Sequence, residues 1–421
     1  MAKYVINGGN KLSGRIKVSG NKNSLFPCLS ASLLTDEEVV LKNVPEIVDT
    51  QISLEILQAL GVRVNWDKSS HIITLQAKEL TTSTLPKDLI QKLRGSIVFA
   101  GGMLGRLGKV DFYHPGGDVI GKRSIDVHLE GFRQLGFDYQ KDDLYYSLKK
   151  RGGIKDIEMF FEEASVTGTE NLVLAAVLNS SVTILKNCAQ EPHVVDLCRM
   201  LNKMGAKIEG VGESTLTITG VKTLQGVEFE LGIDYLELGT YAIAAVITGG
   251  VVELRVDSLK GLEPVMFHLE RFGIEFKQKE GVVVVSAPTL RAIPTKLHTN
   301  IWPGFPSDLM SVAIVLATQA KGTSLLHDWM YESRMYFVDK LISMGAAIVI
   351  ADPHRVIVTG PAKLYGRTLE TPDIRAGMAL VLAALIAKGE STIHKAELIE
   401  RGYEDVVGKL ISLGASITRV E

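Results

Sequence analysis

Residues 115–128 read Pro-Gly-Gly-Asp-Val-Ile-Gly-Lys-Arg-Ser-Ile-Asp-Val-His. Three glycines, the acid Asp118, the adjacent bases Lys122 and Arg123 and the terminal His128 fall within this one stretch. Pro-Gly-Gly calls for a tight, exposed turn, because glycine reaches backbone angles that other residues avoid. A carboxyl group on such a turn can approach a substrate, and two cations beside it can hold an anion. Gly116, four residues, Gly121 and Lys122 nearly spell a phosphate-binding loop. The match fails at Arg123, where that motif places the Ser or Thr that holds magnesium. In isolation the stretch is equally compatible with a charged surface turn. Its place in a repeating chain decides between the two.

Six further positions collect polar or charged residues just ahead of apolar, alanine-rich segments: Lys22 with Asn23, Arg94, Ser165, Glu237, Asp308 and Arg375. Helix N-termini carry positive potential and free N–H groups, so anions suit them. Ser165 and Asp308 fit the role of N-caps. Lys22, Arg94 and Arg375 oppose the helix dipole, and a bound anion would give them a reason to be there. A second set, Asp49, Arg123, Glu191, Glu263, Arg334 and Arg401, lies 10 to 14 residues before a recurring glycine. Lys22, Arg94, Arg123, Arg334, Arg375 and Arg401, with Asp118 and Asp308, favour a small polyanionic substrate. Scattered surface ion pairs are the competing account, and they are individually weak.

The elements that must position these residues repeat. Leu57-Gln-Ala-Leu-Gly61, Phe132-Arg-Gln-Leu-Gly136, Leu201-Asn-Lys-Met-Gly205, Leu269-Glu-Arg-Phe-Gly273, Leu341-Ile-Ser-Met-Gly345 and Leu410-Ile-Ser-Leu-Gly414 share one ending. The glycines are spaced by 75, 69, 68, 72 and 69 residues, which marks a repeat architecture. Each follows a helical pattern and precedes a strand-like stretch, as a helix C-terminal glycine does. Upstream segments such as Tyr241-Ala-Ile-Ala-Ala-Val-Ile are apolar nearly all round and so belong in the interior. The unit reads helix, strand, helix, two strands, with helices within and sheets outside. Three units per half is the simplest division: residues 21–233 as a first domain carrying the Asp118 loop, and 1–20 plus 234–421 as a second. Tyr4-Val-Ile-Asn and Gly14-Arg-Ile-Lys-Val read as openings of units, like Leu216-Thr-Ile-Thr-Gly and Val356-Ile-Val-Thr-Gly. If the units pack around pseudo-threefold axes, the charged loops meet on one side of each half. Two such faces opposed would line a cleft.

The chain has 421 residues, 46% hydrophobic and 22% charged, with a net charge of -2. That fits a globular protein of two or more domains and gives no footprint for nucleic acid. A ring-shaped DNA clamp also has six α/β units, but its helices are basic, and these are apolar. No run approaches the ~20 apolar residues of a membrane helix. Nothing at the N-terminus reads as a signal peptide. Cys28, Cys188 and Cys198 form no CxxC, and nine scattered histidines give no metal spacing. Reduced thiols in a cytoplasmic protein are the expectation.

The motifs together resemble the enolpyruvyl transferase family across the whole chain. They are Ser19-Gly-Asn-Lys-Asn23, Leu93-Arg-Gly-Ser-Ile97, the 115–128 stretch, Ser165-Val-Thr-Gly-Thr-Glu-Asn171, Glu191-Pro-His-Val-Val-Asp196, Phe305-Pro-Ser-Asp308, Asp373-Ile-Arg375 and Glu400-Arg-Gly-Tyr-Glu404. The resemblance implies two inside-out α/β domains of three repeats each, closing over substrate, and no cofactor. It is strongest to the branch that moves the enolpyruvyl group of phosphoenolpyruvate onto the 3-hydroxyl of UDP-N-acetylglucosamine. That addition–elimination releases phosphate and begins peptidoglycan synthesis, which implies a bacterial source. The sister reaction on shikimate 3-phosphate, or a paralogue with another acceptor, shares fold and chemistry. By the same resemblance, Lys22, Arg123 and Arg401 hold the phosphate, and Arg334 and Arg375 the carboxylate. Asn23 and Asp308 contact the sugar, with Asp308 the candidate base. Asn23 also borders the phosphoenolpyruvate site. Arg94, Arg123, Ser124, Ile125, Asp126, Val127, Ser165, Val166 and Met330 contact the UDP-sugar.

Asp118 stands where many family members have cysteine, and the resemblance gives it the role of general acid. Holding a proton at pH 7 asks a free Asp, with a pKa of about 3.9, to shift by ~3 units, or ~4 kcal/mol. Lys22 and Arg123 would oppose that shift, whereas bound anionic substrate in a closed site would favour it. The phosphate of phosphoenolpyruvate is the other possible proton source. Aspartate cannot form the thioether that cysteine makes with the epoxide antibiotic fosfomycin, which implies resistance. Glu163, Tyr235 and Met310 also depart from residues common in the family, which puts individual acceptor contacts in question. Oligomeric state is not written in the sequence.

Overall fold

The computed structural model describes every residue except 1, 118, 119, 122, 153, 154 and 257. The assignment of Asp118 as general acid therefore lies outside the described residues. By internal contacts the chain divides into two compact units. One holds residues 20–117 and 123–232; the other holds 1–19, 118–122 and 233–421. Ile120 and Gly121 thus group with the second of these, where the Ile120 carbonyl accepts from the Ser333 N–H at 3.1 Å. The division expected from the repeats puts this loop wholly in the first.

Among the described residues each unit is built from three sheets around three interior helices. In the 20–232 unit the interior helices are Lys22–Ala31, Val98–Leu107 and Val166–Ala176. In the other they are Tyr235–Ile247, Met310–Gln319 and Ile374–Ile386. All thirteen residues of Tyr235–Ile247 are buried, as an all-apolar helix requires. Glycine lets two of these helices meet: a Cβ on Gly101 would lie 2.5 Å from the Asn171 carbonyl. The six recurring glycines have φ between 92° and 106°. That left-handed conformation ends a helix at little cost only for glycine.

The sheets show why the unit extends beyond the helix–strand–helix–hairpin order read from sequence. Five of the six are four-stranded, each with a parallel edge strand ahead of the first helix. The sixth is three-stranded, and a single parallel bridge from Thr84 to Asp111 occupies the edge. Two edge strands are exchanged in the sequence. Ser13–Lys17 precedes the helix Lys22–Ala31 but pairs with Val251–Arg255. Val227–Glu230 precedes the helix Tyr235–Ile247 but pairs with Glu38–Lys42. Lys3–Asn7 opens no unit. It pairs between Glu390–His394 and Ser416–Val420 and so closes the last sheet. Its likeness to residues 216–220 and 356–360 is accordingly a likeness of closing hairpin strands.

Candidate functional site

In the unit containing residues 233–421, Asp373 caps the helix Ile374–Ile386, accepting from the Arg375 N–H at 2.8 Å and the Ala376 N–H at 2.9 Å. This sets Arg375 in the first turn. Its Nε donates to Asp308 Oδ2 at 3.1 Å, and Arg334 Nη2 donates to Asp308 Oδ1 at 2.9 Å. Asp308 sits in the 3-10 turn Ser307–Leu309 and does not cap the helix that follows, contrary to the expectation. Its carboxylate is committed to the two guanidiniums instead. Both arginine side chains are nearly sealed, at 2% and 6% exposure, while Asp308 keeps 35%. Burial opposes charge on either arginine. The Asp308 carboxylate, with Asp373 and Asp328 around Arg334 and with Tyr403 and Asp234 around Arg375, outweighs it and raises both pKa values. Two sealed nitrogens, Arg334 Nε and Arg375 Nη1, still make no hydrogen bond. A buried N–H of a cation without an acceptor is costly, and an anion supplies acceptors.

Behind Asp308, further groups surround these arginines. Asp328 is fully buried and accepts from Thr299 Oγ1 at 3.1 Å, Ser307 Oγ at 2.5 Å and the Met330 N–H at 3.0 Å. It lies 4.0 Å from Arg334 Nε. Arg375 stacks 5.2 Å over the Tyr403 ring, whose hydroxyl meets Thr240 Oγ1 at 3.1 Å. Glu237 is not free for substrate either. Lys409 Nζ pairs with it and donates to Ser19 Oγ at 2.6 Å, and Ser19 Oγ in turn donates to Glu404. Arg401 ends the 3-10 segment Ala396–Arg401 and is half-buried. Tyr403 and Glu404 belong to the Arg-Gly-Tyr-Glu motif. No spacing points to Asp328 or Lys409.

In the 20–232 unit, Asn21 caps the helix Lys22–Ala31 by accepting from the Asn23 N–H at 2.8 Å and the Ser24 N–H at 3.3 Å. Lys22 begins that helix and pairs with Asp49 Oδ2 at 2.6 Å, both side chains being buried. The two sets of polar positions therefore meet here as an ion pair. Asn23 and Arg123 are half-buried. Arg94 opens the turn Arg94–Ile97; its Nη2 donates to the Ser124 carbonyl at 2.8 Å and its Nη1 lies 3.4 Å from His114 Nε2. Gly116 and Gly117 are needed for close approach as well as for turning. A Cβ on Gly116 would overlap the Gln91 carbonyl at 1.6 Å, and one on Gly117, at φ 119°, would lie 2.7 Å from Arg94 Cβ. Ser124 Oγ donates to Asp126 Oδ2 at 2.5 Å, and Ile125 is buried. Ser165 caps the helix Val166–Ala176, accepting from the Gly168 N–H at 3.2 Å. Val127 Cγ1 lies 3.2 Å from the place a Gly168 Cβ would take, against the same turn. Arg94, residues 124–127 and Ser165–Val166 thus belong to one patch of this unit.

Two departures from the family pattern sit buried at the first positions of interior helices. Tyr235 is 3% exposed with its ring 5.4 Å from Trp302, and Met310 is fully buried. Glu163 is exposed, and its carbonyl accepts from the Ser165 N–H at 2.7 Å.

Glu191, before the helix Pro192–Lys203, has its Oε2 sealed without a partner, as Glu170 has its Oε1. Burial pushes the Glu191 carboxyl from an ordinary 4.5 up to about 7, and burial, then Glu191, raises that of Glu170. A raised folded-state value means that the folded chain binds the proton more tightly. This stabilisation is complete below pH 4.5 and is lost as pH rises through about 7. Glu191→Gln is therefore expected to stabilise the protein above pH 7 by up to about 3 kcal/mol, and much less at pH 4.5. Urea unfolding at both pH values checks it; an equal effect at both would reject the proton-linked account.

Among the described residues no helix is long and apolar enough to cross a membrane. The model of the family described as EPSP synthase (3-phosphoshikimate 1-carboxyvinyltransferase) matches residues 6–410. The UDP-N-acetylglucosamine 1-carboxyvinyltransferase of Borreliella burgdorferi is 44% identical over 429 residues, covering 100% of each chain. That of Bradyrhizobium diazoefficiens is 43% identical over 427 residues, covering 99% of this chain and 98% of its own. Among solved structures, the enolpyruvyl transferase NikO from Streptomyces tendae superposes with a TM-score of 0.89 at 24% identity, covering 100% of this chain and 99% of its own. That likeness speaks for the fold. Motifs, repeat architecture and full-length identity agree: the chain belongs to the enolpyruvyl transferase family, within its UDP-N-acetylglucosamine 1-carboxyvinyltransferase branch.

Proposed function

We propose that this chain transfers the enolpyruvyl group of phosphoenolpyruvate to the 3-hydroxyl of UDP-N-acetylglucosamine, releasing phosphate, as a cytoplasmic step of bacterial cell-wall synthesis. The observation that carries the reading is the pair of buried arginines, 334 and 375, with two sealed N–H groups unsatisfied around Asp308. Planar guanidiniums suit a carboxylate, and that of phosphoenolpyruvate supplies the missing acceptors. Lys22, Arg123 and Arg401 then take the phosphate and stabilise its charge as the ketal intermediate forms and collapses. Asp308 accepts the proton of the attacking hydroxyl. The substrate carboxylate takes the unsatisfied donors of the two guanidiniums that also hold Asp308, and this second anion beside Asp308 makes it a stronger base. Protonation of the methylene carbon falls to Asp118 or to the substrate phosphate. Arg94, residues 124–127, Ser165, Val166 and Met330 hold the nucleotide sugar. The names of the 43–44% identical relatives favour this acceptor.

The experiment is phosphate release from phosphoenolpyruvate with either acceptor. Release is expected with UDP-N-acetylglucosamine and not with shikimate 3-phosphate. The reverse pattern would keep the chemistry and overturn the acceptor; no release with either would overturn the reading.

A further inference from the structure

His128 and Asn171 are enclosed in the 20–232 unit, at 3% and 0% exposure. The Gly101 N–H donates to Asn171 Oδ1 at 2.6 Å. A backbone N–H can only donate, so this bond decides which end of the amide is oxygen. Asn171 Nδ2 therefore donates, to the Ile97 carbonyl at 3.1 Å and to His128 Nδ1 at 2.8 Å. Nδ1 is then an acceptor, and the ring proton sits on Nε2, which donates to Thr167 Oγ1 at 3.2 Å. Burial, with Arg94 adding to it, depresses the imidazole to about 3, so the ring is neutral at working pH.

Besides the helix Val98–Leu107, which carries Gly101, this chain of bonds joins three elements. The helix Asp126–Gln134 carries His128 and follows directly on residues 123–125. The turn Arg94–Ile97 supplies the Ile97 carbonyl and begins with Arg94. The helix Val166–Ala176 carries Thr167 and Asn171 and is capped by Ser165. Each of the three presents residues assigned above to the nucleotide sugar. We propose that His128 and Asn171 are positioning residues that set the mutual spacing of these three segments and thereby the affinity for the UDP-sugar. Neither needs to touch substrate. The inference rests on the acceptor reading above.

A purely packing role would lower stability and leave the two substrates equally affected. A positioning role falls on one substrate, because displacement by ~1 Å can cost ~10²-fold. His128→Phe keeps a planar ring and deletes both bonds. Its KM for UDP-N-acetylglucosamine is expected to rise about tenfold or more, with the KM for phosphoenolpyruvate, at saturating UDP-sugar, within about twofold of the parent. His128→Asn, whose Oδ1 can accept from Asn171, is expected to recover most of the affinity. Should His128→Phe fail to fold, Thr167→Val removes the Nε2 partner at a half-buried position and is expected to raise the same KM by roughly threefold, as loss of one modest hydrogen bond does. Equal shifts in both KM values, or no shift in a folded variant, would overturn the inference. Calorimetric titration of the unaltered protein with the UDP-sugar separates the two levels. Absence of binding there defeats the acceptor reading; normal binding by parent and variants alike defeats only the positioning role.

Discussion

Asp308→Asn is expected to lower kcat by about 10²–10⁴-fold, the usual worth of a positioned general base, without raising the KM for phosphoenolpyruvate. Asparagine keeps the size of the side chain and one acceptor oxygen but cannot take a proton. The KM expectation follows from the arginines that Asp308 shares with the substrate carboxylate. Asp308 now occupies Arg334 Nη2 and Arg375 Nε at 2.9 and 3.1 Å. Removing its charge leaves both guanidiniums more open to the substrate carboxylate, so binding should hold or tighten while turnover collapses. Folding should survive. Asparagine keeps an acceptor oxygen beside both guanidiniums, Asp308 is 35% exposed and Arg334 retains Asp328 at 4.0 Å; taking the charge from beside two sealed arginines still costs stability, which the melt reads. Steady-state kinetics with both substrates, beside a thermal melt, checks this. A kcat within about threefold of the parent would remove Asp308 as the base, and a large rise in the phosphoenolpyruvate KM would make it a binding residue.

Much of this arrangement is legible in the amino-acid sequence, for a physical reason. A glycine at φ near 95° after a helix is a local requirement, so six such glycines disclose six repeats. Interior helices announce themselves because apolar residues on every face leave no side for water. The exchange of Ser13–Lys17 and Val227–Glu230 between sheets leaves no such trace. Each strand buries a single residue, Ile16 or Phe229, between exposed neighbours, and pairing partners far apart in sequence impose no local pattern. The charged residues are visible as a set because cations at helix starts oppose the dipole. What each one touches is not. Asp308 has the residue type and position of a cap, yet the helix Met310–Gln319 has no side-chain cap, whereas Asn21, Ser165, Asp234 and Asp373 cap theirs. Asp308 is drawn to two guanidiniums whose burial makes an anionic partner worth more than a backbone N–H. Asp328 and Lys409 support other groups of the cluster, and support depends on three-dimensional neighbours alone. Tyr235 and Met310, unusual types at family positions, are buried at the starts of two interior helices, a placement that the apolar pattern of those helices already implies.

Fosfomycin, at a stoichiometric dose, is expected to leave this enzyme fully active, and Asp118→Cys to make it sensitive while retaining turnover. Inactivation by the drug requires a thiolate sulfur to attack an epoxide carbon, with the ring C–O bond breaking and its oxygen taking up a proton. The thiolate is the reactive form, and a carboxylate is a far poorer nucleophile towards an epoxide. No other thiol can substitute for the missing one. Cys28, Cys188 and Cys198 are free but buried. Burial raises Cys188 and Cys198 to about 12 and Cys28 well above its ordinary value, so the thiolate fraction at neutral pH is negligible. Asp118 and Cys both carry an ionisable proton, which is why the exchange should preserve the acid step if residue 118 performs it. Intact-protein mass spectrometry after incubation with the drug reads the result directly. One covalent adduct on Asp118→Cys and none on the parent is the expected pair. Complete inactivation of the parent would refute the resistance. An active Asp118→Cys variant that takes up no drug would show that residue 118 does not stand where the epoxide binds.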